Sequence, residues 1–116
     1  MSPAGIATLP ESPYYAVIFT SKRTSGDRGY GAMSEVMSQR AREQPGFLGV
    51  ESARGPDGVG ITVSYWRDLE AIRAWKADGE HQKAQQGGKA SWYEHYEVRI
   101  AKVERAYGKI DQTGEK

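Results

Sequence analysis

The sequence lacks several features that would assign a function quickly. It has no cysteine, which excludes a disulfide framework, a thiol nucleophile and a thiolate metal site. Its two histidines, His81 and His95, have no carboxylate cluster beside them, so no metal centre is predicted. No apolar run approaches the roughly 20 residues of a membrane span, and the first residues do not resemble a signal peptide. We therefore expect a soluble cytoplasmic protein.

An excess of either charge is also missing. The 116 residues carry 16 lysines and arginines against 15 aspartates and glutamates, a net charge of +1. The basic residues are scattered, and the aromatic pattern of sheets that bind RNA is absent. Neither nucleic acid nor an anionic membrane is therefore expected as a partner. The length predicts one domain with a modest core.

Hydrophobic spacing predicts secondary structure in the order β-α-β-β-α-β. Strands are expected over residues 14–21, 47–54, 59–66 and 94–107, and a helix over residues 28–43. The second helical region is expected to break at Asp78-Gly79 into residues 69–76 and 80–92. This order predicts an α+β, ferredoxin-like fold, with a four-stranded antiparallel sheet and helices on one face. Residues 1–12 are predicted to be a flexible lead-in, 13–107 the domain and 108–116 a polar tail.

The helices have recognisable starts and inward-facing sides. Asp27 and Asp68 are predicted N-caps of the two helical regions. In the first helix one stripe is predicted to face the core: Tyr30, Met33, Met37 and Ala41. In the segment predicted to begin at Glu80, one face is predicted to point inward: His81, Ala84, Gln85, Gly88 and Trp92.

The first strand carries an unbroken apolar run from Ala16 to Phe19. Such a strand needs both of its faces covered, whereas the helices cover only one face of the sheet. A second copy of the chain is the simplest cover for the other face. The sequence therefore predicts a homodimer with two-fold symmetry.

Several segments together resemble a known family. They are QPGFLGVES at residues 44–52, ITVSYWRDLEAIRAW at 61–75, the Glu80-His81 helix and the closing VRIAKVERAY. They resemble the antibiotic biosynthesis monooxygenase superfamily over roughly residues 14–107. The resemblance implies a dimeric α+β barrel with a cavity between helices and sheet in each protomer. It also implies one of three functions: a cofactor-free oxygenase of anthrone- or quinol-type substrates, a haem-degrading monooxygenase, or a member without assigned activity.

The haem-degrading branch is similar to this chain at only one of three positions. That branch uses an asparagine on the first strand, a tryptophan on the second helical region and a histidine about three turns further on. Trp75 matches the tryptophan, but the ten-residue step onward reaches Gln85, and His81 lies one turn earlier. The sequence contains no asparagine at all. Haem degradation is therefore disfavoured, and no cofactor is predicted.

The stretch from Ser64 to Trp92 contains all three tryptophans and His81. Its aromatic residues are interpreted as the wall of one cavity for a small aromatic molecule, with Trp66, Trp75 and Trp92 as its lining. His81 is the predicted catalytic base, since histidine exchanges a proton near neutral pH. Gln85 or Tyr65 is predicted to hold a substrate oxygen. Two functions remain open: a cofactor-independent monooxygenase, and a non-catalytic small-molecule-binding or structural dimer in which these residues only pack.

Overall fold

A computed structural model describes residues 5–27, 29–85 and 92–109, with the backbone alone for residues 80–85. The elements, in chain order, are β1 (Tyr14–Arg23), α1 (Tyr30–Arg42), β2 (Phe47–Arg54), β3 (Val59–Trp66), α2 (Leu69–Gln85) and β4 (Tyr93–Val103). The four strands form one antiparallel sheet in the order β2-β3-β1-β4. This βαββαβ arrangement confirms the predicted ferredoxin-like fold. None of the helices in the described ranges is long and apolar enough to cross a membrane.

The sheet has two distinct faces because successive side chains of a strand point in opposite directions. One face, called the helix side, includes Val17 and Phe19 of β1 and Trp66 of β3. Both helices pack there. The other face, called the open side, includes Ala16 and Ile18. The apolar run of β1 is therefore divided evenly between the two faces, as its lack of alternation predicted.

Helix α1 begins after a turn that Asp27 stabilises. The predicted N-cap was Asp27, but the helix starts two residues later, with Gly29 in the N-cap position at φ 84°. The Asp27 carboxylate accepts hydrogen bonds from the backbone N–H groups of Gly29 and Gly31, both at 3.1 Å. It therefore stabilises the helix start from outside the helix. The predicted inward stripe is half-buried along its length.

Helix α2 is one continuous helix, so the predicted break at Asp78-Gly79 is wrong. Asp68 caps its start, accepting a hydrogen bond from the Ala71 N–H at 2.8 Å, as predicted. The residues expected to break the helix are held against α1. Arg40 donates two hydrogen bonds to the Asp78 carboxylate, at 2.6 and 3.0 Å. A Cβ at Gly79 would lie 3.6 Å from Met37, so the helices approach closely there. These tertiary contacts outweigh the glycine's cost of about 1 kcal/mol in a helix interior.

Gly46 makes the tight connection between α1 and β2. Its φ is +88°, and its carbonyl accepts a hydrogen bond from the Arg67 N–H at 2.8 Å. A Cβ at this position would lie only 2.6 Å from the Ala71 Cβ in α2. Glycine is therefore required here both by backbone conformation and by space.

The core described is small and has a part on each face of the sheet. Its buried apolar residues are Trp66 and Ile72 on the helix side and Tyr14 and Ala16 on the open side. Elsewhere on the open side, Val59 and Ile61 of β3 remain 42% and 47% exposed. The segment of residues 5–12 reaches one end of this side, where the Ala7 N–H donates to the Glu51 carboxylate at 3.0 Å. The rest of the open side presents apolar side chains of β3 and the polar side chains of His95, Glu97 and Arg99 of β4 to solvent.

Candidate functional site

Trp66 and Trp75 form a stacked pair between the sheet and α2. Their ring centroids are 6.0 Å apart with an interplanar angle of 25°. Trp66 is 0% exposed, its indole N–H donates to Ser64 Oγ at 2.8 Å, and Phe47 packs edge-on against it at 5.4 Å. Trp66 is therefore a core residue with its polar group satisfied. Trp75 is half-buried, so it is the member of the pair that a ligand could reach.

Tyr65 lies on the opposite face of the sheet from the tryptophan pair. It neighbours Trp66 in β3, so its side chain points to the open side. There its hydroxyl donates to Glu51 at 2.7 Å and its ring packs edge-on against Tyr14 at 5.7 Å. The structure therefore does not bring Tyr65 together with Trp66 and Trp75, contrary to the sequence-based expectation.

The environment of Tyr65 predicts a pH-dependent contribution to stability. Burial, and then the hydrogen bond to Glu51, raise its pKa from 10.0 to about 12. Since the folded pKa is above the unfolded one, this stabilisation is complete below pH 10 and is lost as the pH rises towards 12. Tyr65→Phe is expected to lower the free energy of unfolding by about 1–2 kcal/mol at pH 8, with a smaller difference at pH 11. Urea denaturation at both pH values measures it. Tyr107→Phe, at an exposed position, is the control, and a pH-independent difference for Tyr65→Phe would contradict the prediction.

Trp92 lies at the other end of the helix side from Trp66. Its carbonyl accepts hydrogen bonds from the Arg23 Nε and the Thr24 N–H, at 3.0 and 2.9 Å. Trp66 pairs with Tyr15, eight residues earlier in β1 than Arg23, which is about 26 Å along a strand. Trp92 packs instead on Tyr30, with ring centroids 6.1 Å apart. The three tryptophans therefore do not surround a single place, and Trp92 is not part of α2, where the sequence placed it.

A second group of rings lies on the helix side of β1 and β4. Phe19 contacts Tyr93 at 5.3 Å and Tyr96 at 5.5 Å between ring centroids, and Tyr93 also contacts Tyr96 at 6.0 Å. Beside them, Tyr96, Val98 and Ile100 are 51%, 49% and 52% exposed. We call these five residues the β4 surface. The alternation of Tyr96, Val98 and Ile100 was visible in the sequence, but only the strand register shows that they face the same way as Phe19.

Polar groups lie at the end of the β4 surface where β4 begins, around Tyr93. The hydroxyls of Tyr93 and Tyr30 interact, and burial followed by this hydrogen bond raises the pKa of Tyr93 above its ordinary range. The positive charge of Arg54 and Arg23 opposes that rise. Arg54 donates a hydrogen bond to the hydroxyl of Ser21, the residue of β1 that pairs with Tyr96. The Arg23 guanidinium also stacks on the Tyr30 ring, 3.7 Å from its centroid. Residues from β1, α1, β2 and β4 thus meet here, a combination that no local sequence motif indicates.

The side chains of His81 and Gln85 lie outside the described part of the structure. Their backbone belongs to the last turns of α2. The prediction that His81 faces inward assumed a new helix beginning at Glu80, and a continuous α2 removes that assumption. The two roles, His81 as base and Gln85 as substrate contact, stay predictions. Gly88 and the neighbouring residues 86–91 also lie outside the described ranges.

Possible metal or haem ligands are few in the described part of the structure, and the side chain of His81 lies outside that part. In the described residues no three histidine, aspartate or glutamate side chains gather to hold a metal ion. His95 is on the open side, 3.3 Å from Glu97, far from the helices. Ten residues after Trp75, α2 ends at Gln85, whose amide is a poor substitute for an imidazole ligand.

Comparisons with known proteins agree on the family. A family model described as antibiotic biosynthesis monooxygenase matches residues 32–87. The uncharacterized protein YqjZ of Bacillus subtilis is 54% identical over 100 residues, which cover 86% of this chain and 88% of that protein.

Among solved structures, SnoaB, a cofactor-independent oxygenase from Streptomyces nogalater, has a TM-score of 0.69 at 13% identity, with 84% of this chain and 100% of that chain covered. MhuD with two manganese protoporphyrin IX molecules bound per active site has a TM-score of 0.59 at 23% identity, covering 82% and 99%. At these identities the two structures show a shared fold.

Proposed function

Because the chain belongs to the antibiotic biosynthesis monooxygenase family, we propose that it is a cofactor-independent monooxygenase that oxidises a small anthrone- or quinol-type aromatic substrate with O₂. The observation that carries the proposal is the β4 surface, an exposed apolar and aromatic area on the helix side of the sheet. Sites for flat apolar ligands are lined mainly by such side chains. The description of SnoaB as a cofactor-independent oxygenase supports the same chemistry on this fold.

The reaction needs no external reductant for an anthrone-type substrate. A base removes a proton from the activated CH₂ group, and the adjacent ring carbonyl delocalises the resulting electron pair as an enolate. The carbanion carbon transfers electrons to O₂ and forms a C–O bond, and the proton returns to give a hydroperoxide. Loss of water from the hydroperoxide breaks the O–O bond and the second C–H bond. The balance is R₂CH₂ + O₂ → R₂C=O + H₂O.

The chain's own residues have distinct roles in this proposal. The β4 surface and the exposed part of Trp75 would hold the substrate rings, while Trp66 would support Trp75 from below. His81 is the proposed base and Gln85 a proposed polar contact to the substrate. Tyr65 is left out of the proposed site because it lies on the open side, bound to Glu51.

Oxygen uptake tests the proposed function directly. Wild-type protein with an anthrone is expected to consume one O₂ for each quinone formed, as measured with an oxygen electrode and by absorbance. His81→Ala is expected to lower the rate about tenfold or more, because general-base catalysis contributes at least that much. His95→Ala is the matched control, since His95 lies on the opposite face beside Glu97.

Two results would contradict the proposal in different ways. Equal rates for wild type and His81→Ala would remove His81 from the mechanism. No turnover of any anthrone or quinol tested would favour the alternative, a non-catalytic dimer that binds a small molecule or serves a structural role. The fully buried, hydrogen-bonded Trp66 is the observation that favours this alternative, since it accounts for one predicted site residue by packing alone.

We also propose that the chain forms a homodimer through the open side of its sheet. The exposed Val59 and Ile61 on that face, together with Ile18, support a second sheet as the cover. Sedimentation at micromolar concentration is expected to give twice the chain mass. Ile61→Glu is expected to shift the protein to the monomer by placing a charge in the apolar interface. A monomeric wild-type protein would contradict the proposal.

A further inference from the structure

Two arginines, Arg23 and Arg54, lie on the helix side near the C-terminal end of β1, next to the Tyr96 end of the β4 surface. Arg54, from β2, crosses over Gly60 of β3 to reach β1, where a Cβ on Gly60 would lie 2.7 Å from the Arg54 Cζ. Its Nη1 donates to the carbonyls of Gly58 and Ser21 at 2.5 and 3.4 Å, and its Nη2 donates to the Ser21 hydroxyl at 2.9 Å. Ser21 is buried, so these bonds fix the guanidinium in place.

Arg23 is held just as firmly, by different groups. Its Nε donates to the Trp92 carbonyl and its Nη2 to the Gly26 carbonyl, both at 3.0 Å. Its guanidinium stacks on Tyr30. Both guanidinium groups are therefore positioned by hydrogen bonds before a ligand arrives, which lowers the entropy cost of ordering two long side chains on binding.

Each guanidinium still has donors to offer. A guanidinium has five N–H groups. The bonds of Arg54 use both Nη1 hydrogens and one on Nη2, which leaves Nε–H and one Nη2–H without an acceptor among the described residues. The same count for Arg23 leaves both Nη1 hydrogens and one Nη2 hydrogen without an acceptor in the described ranges. Every acceptor of these hydrogen bonds from Arg23 and Arg54 is a neutral carbonyl or hydroxyl group.

The positive charge of the pair is also not neutralised locally. Neither guanidinium forms an ion pair with an aspartate or glutamate in the parts of the chain that the structure describes. Asp27, the acid nearest to Arg23 along the chain, has its carboxylate bound to two backbone N–H groups of α1. Two fixed cations with spare, fork-shaped donors match the geometry of a carboxylate.

Aromatic rings adjoin the two cations on the same face. The Arg23 guanidinium stacks on Tyr30, whose ring centroid lies 5.9 Å from that of Tyr93, and Arg54 binds Ser21, the residue of β1 that pairs with Tyr96. Tyr93 also contacts Phe19 and Tyr96 of the β4 surface. We infer that Arg23 and Arg54 bind a carboxylate group of the ligand, whose rings lie on Phe19 and Tyr96, so that the substrate class is an aromatic carboxylate. The inference rests on the proposed function for the oxidation of this molecule, whereas the carboxylate contact is a binding property with its own test.

Calorimetric titration with naphthoate and its neutral analogue naphthalenemethanol tests the contact. The wild-type protein is expected to bind naphthoate about tenfold or more tightly than the neutral analogue, with the preference falling as salt is added. Arg54→Gln and Arg23→Gln are each expected to weaken naphthoate binding about tenfold and to change naphthalenemethanol binding by less than about twofold. Arg54→Lys is expected to recover part of the loss, because lysine keeps the charge but not the fork.

A matched variant separates this site from general positive charge. Arg73→Gln removes an equally charged side chain from the exposed surface of α2 and is expected to leave both ligands unaffected. Thermal melting monitors folding of each variant, and naphthalenemethanol binding reports whether the ring site is intact. The inference is overturned if wild-type protein binds the two probes equally or binds naphthoate not at all. It is also overturned if the Arg23 and Arg54 variants behave like Arg73→Gln.

The two proposals fail separately in these experiments. Oxidation of a neutral anthrone by wild-type protein reports only on the monooxygenase reaction. Arginine-dependent naphthoate binding without turnover of any substrate would leave the carboxylate site standing and refute the proposed function. Turnover with no preference for naphthoate would do the reverse.

Discussion

Trp66→Ala is expected to lower the free energy of unfolding by about 3–5 kcal/mol, the cost of removing a large buried aromatic side chain. Trp66 is 0% exposed and is the largest fully buried side chain described. Its removal leaves a cavity between Phe47 and Trp75 and leaves Ser64 without its hydrogen-bond partner. Because domains of this size are stable by only about 5–15 kcal/mol, the variant is expected to be close to unfolded. Urea denaturation followed by circular dichroism measures the loss.

Two further variants test whether packing is the cause. Trp66→Phe keeps an aromatic ring and is expected to cost less than half as much as alanine. Trp92→Ala removes the same side chain from a half-buried position beside Tyr30 and is also expected to cost less. If the Trp66 and Trp92 alanine variants lose equal stability, the core does not centre on Trp66.

Gly46→Ala is expected to lower the free energy of unfolding by about 2–5 kcal/mol, for two reasons that add. A φ of +88° strains any residue with a Cβ by about 1–2 kcal/mol. The new Cβ would also lie 2.6 Å from the Ala71 Cβ, and relieving that overlap costs about 1–3 kcal/mol more by pushing α2 from the sheet. Chemical denaturation of the purified variant provides the measurement.

Gly58→Ala isolates the strain from the overlap. Gly58 has a similar φ of +91°, but its added Cβ would have no neighbour closer than 3.5 Å. It is expected to lose only the part due to φ, about 1–2 kcal/mol. Ala71→Gly itself costs about 1 kcal/mol in a helix, so the double variant is compared with Ala71→Gly alone. Against that reference, Gly46→Ala should lose only the part due to φ, and a loss as large as in the wild-type background would show that backbone strain alone is responsible.

Local chemistry explains why most of the fold was predictable. The Gly55-Pro56-Asp57-Gly58 turn and the alternating residues around it placed β2 and β3 correctly to the residue. The predicted N-cap at Asp68 also located the start of α2 correctly. β1 and β4 differ from the prediction at their ends: β1 continues to Arg23 and β4 stops at Val103, because strand ends depend on a paired partner as well as on the strand's own residues.

Prediction failed where contacts between distant elements decide the outcome. Asp78 and Gly79 resemble a helix break, yet Arg40 and Met37 of α1 stabilise a continuous helix there. The placing of Tyr65 with Trp66 in one site is a different error, because the alternation along β3 already predicts that the two side chains lie on opposite faces. The cluster of Arg23, Arg54 and Tyr93 depends on three strands in a particular register, which the sequence of any one strand does not encode.

The contacts between α1 and α2 limit how a ligand could reach the proposed site. Two Arg40–Asp78 hydrogen bonds, at 3.0 and 2.6 Å, and the close approach of Met37 to Gly79 join the two helices. Parting the helices would break those contacts, whereas the edge of the sheet at β4 already exposes Val98 and Ile100. We expect the ligand to enter at this edge of the sheet, without separation of α1 and α2. Substitutions of Val98 and Ile100 should accordingly change the rate of association as well as the affinity, since both residues also belong to the β4 surface.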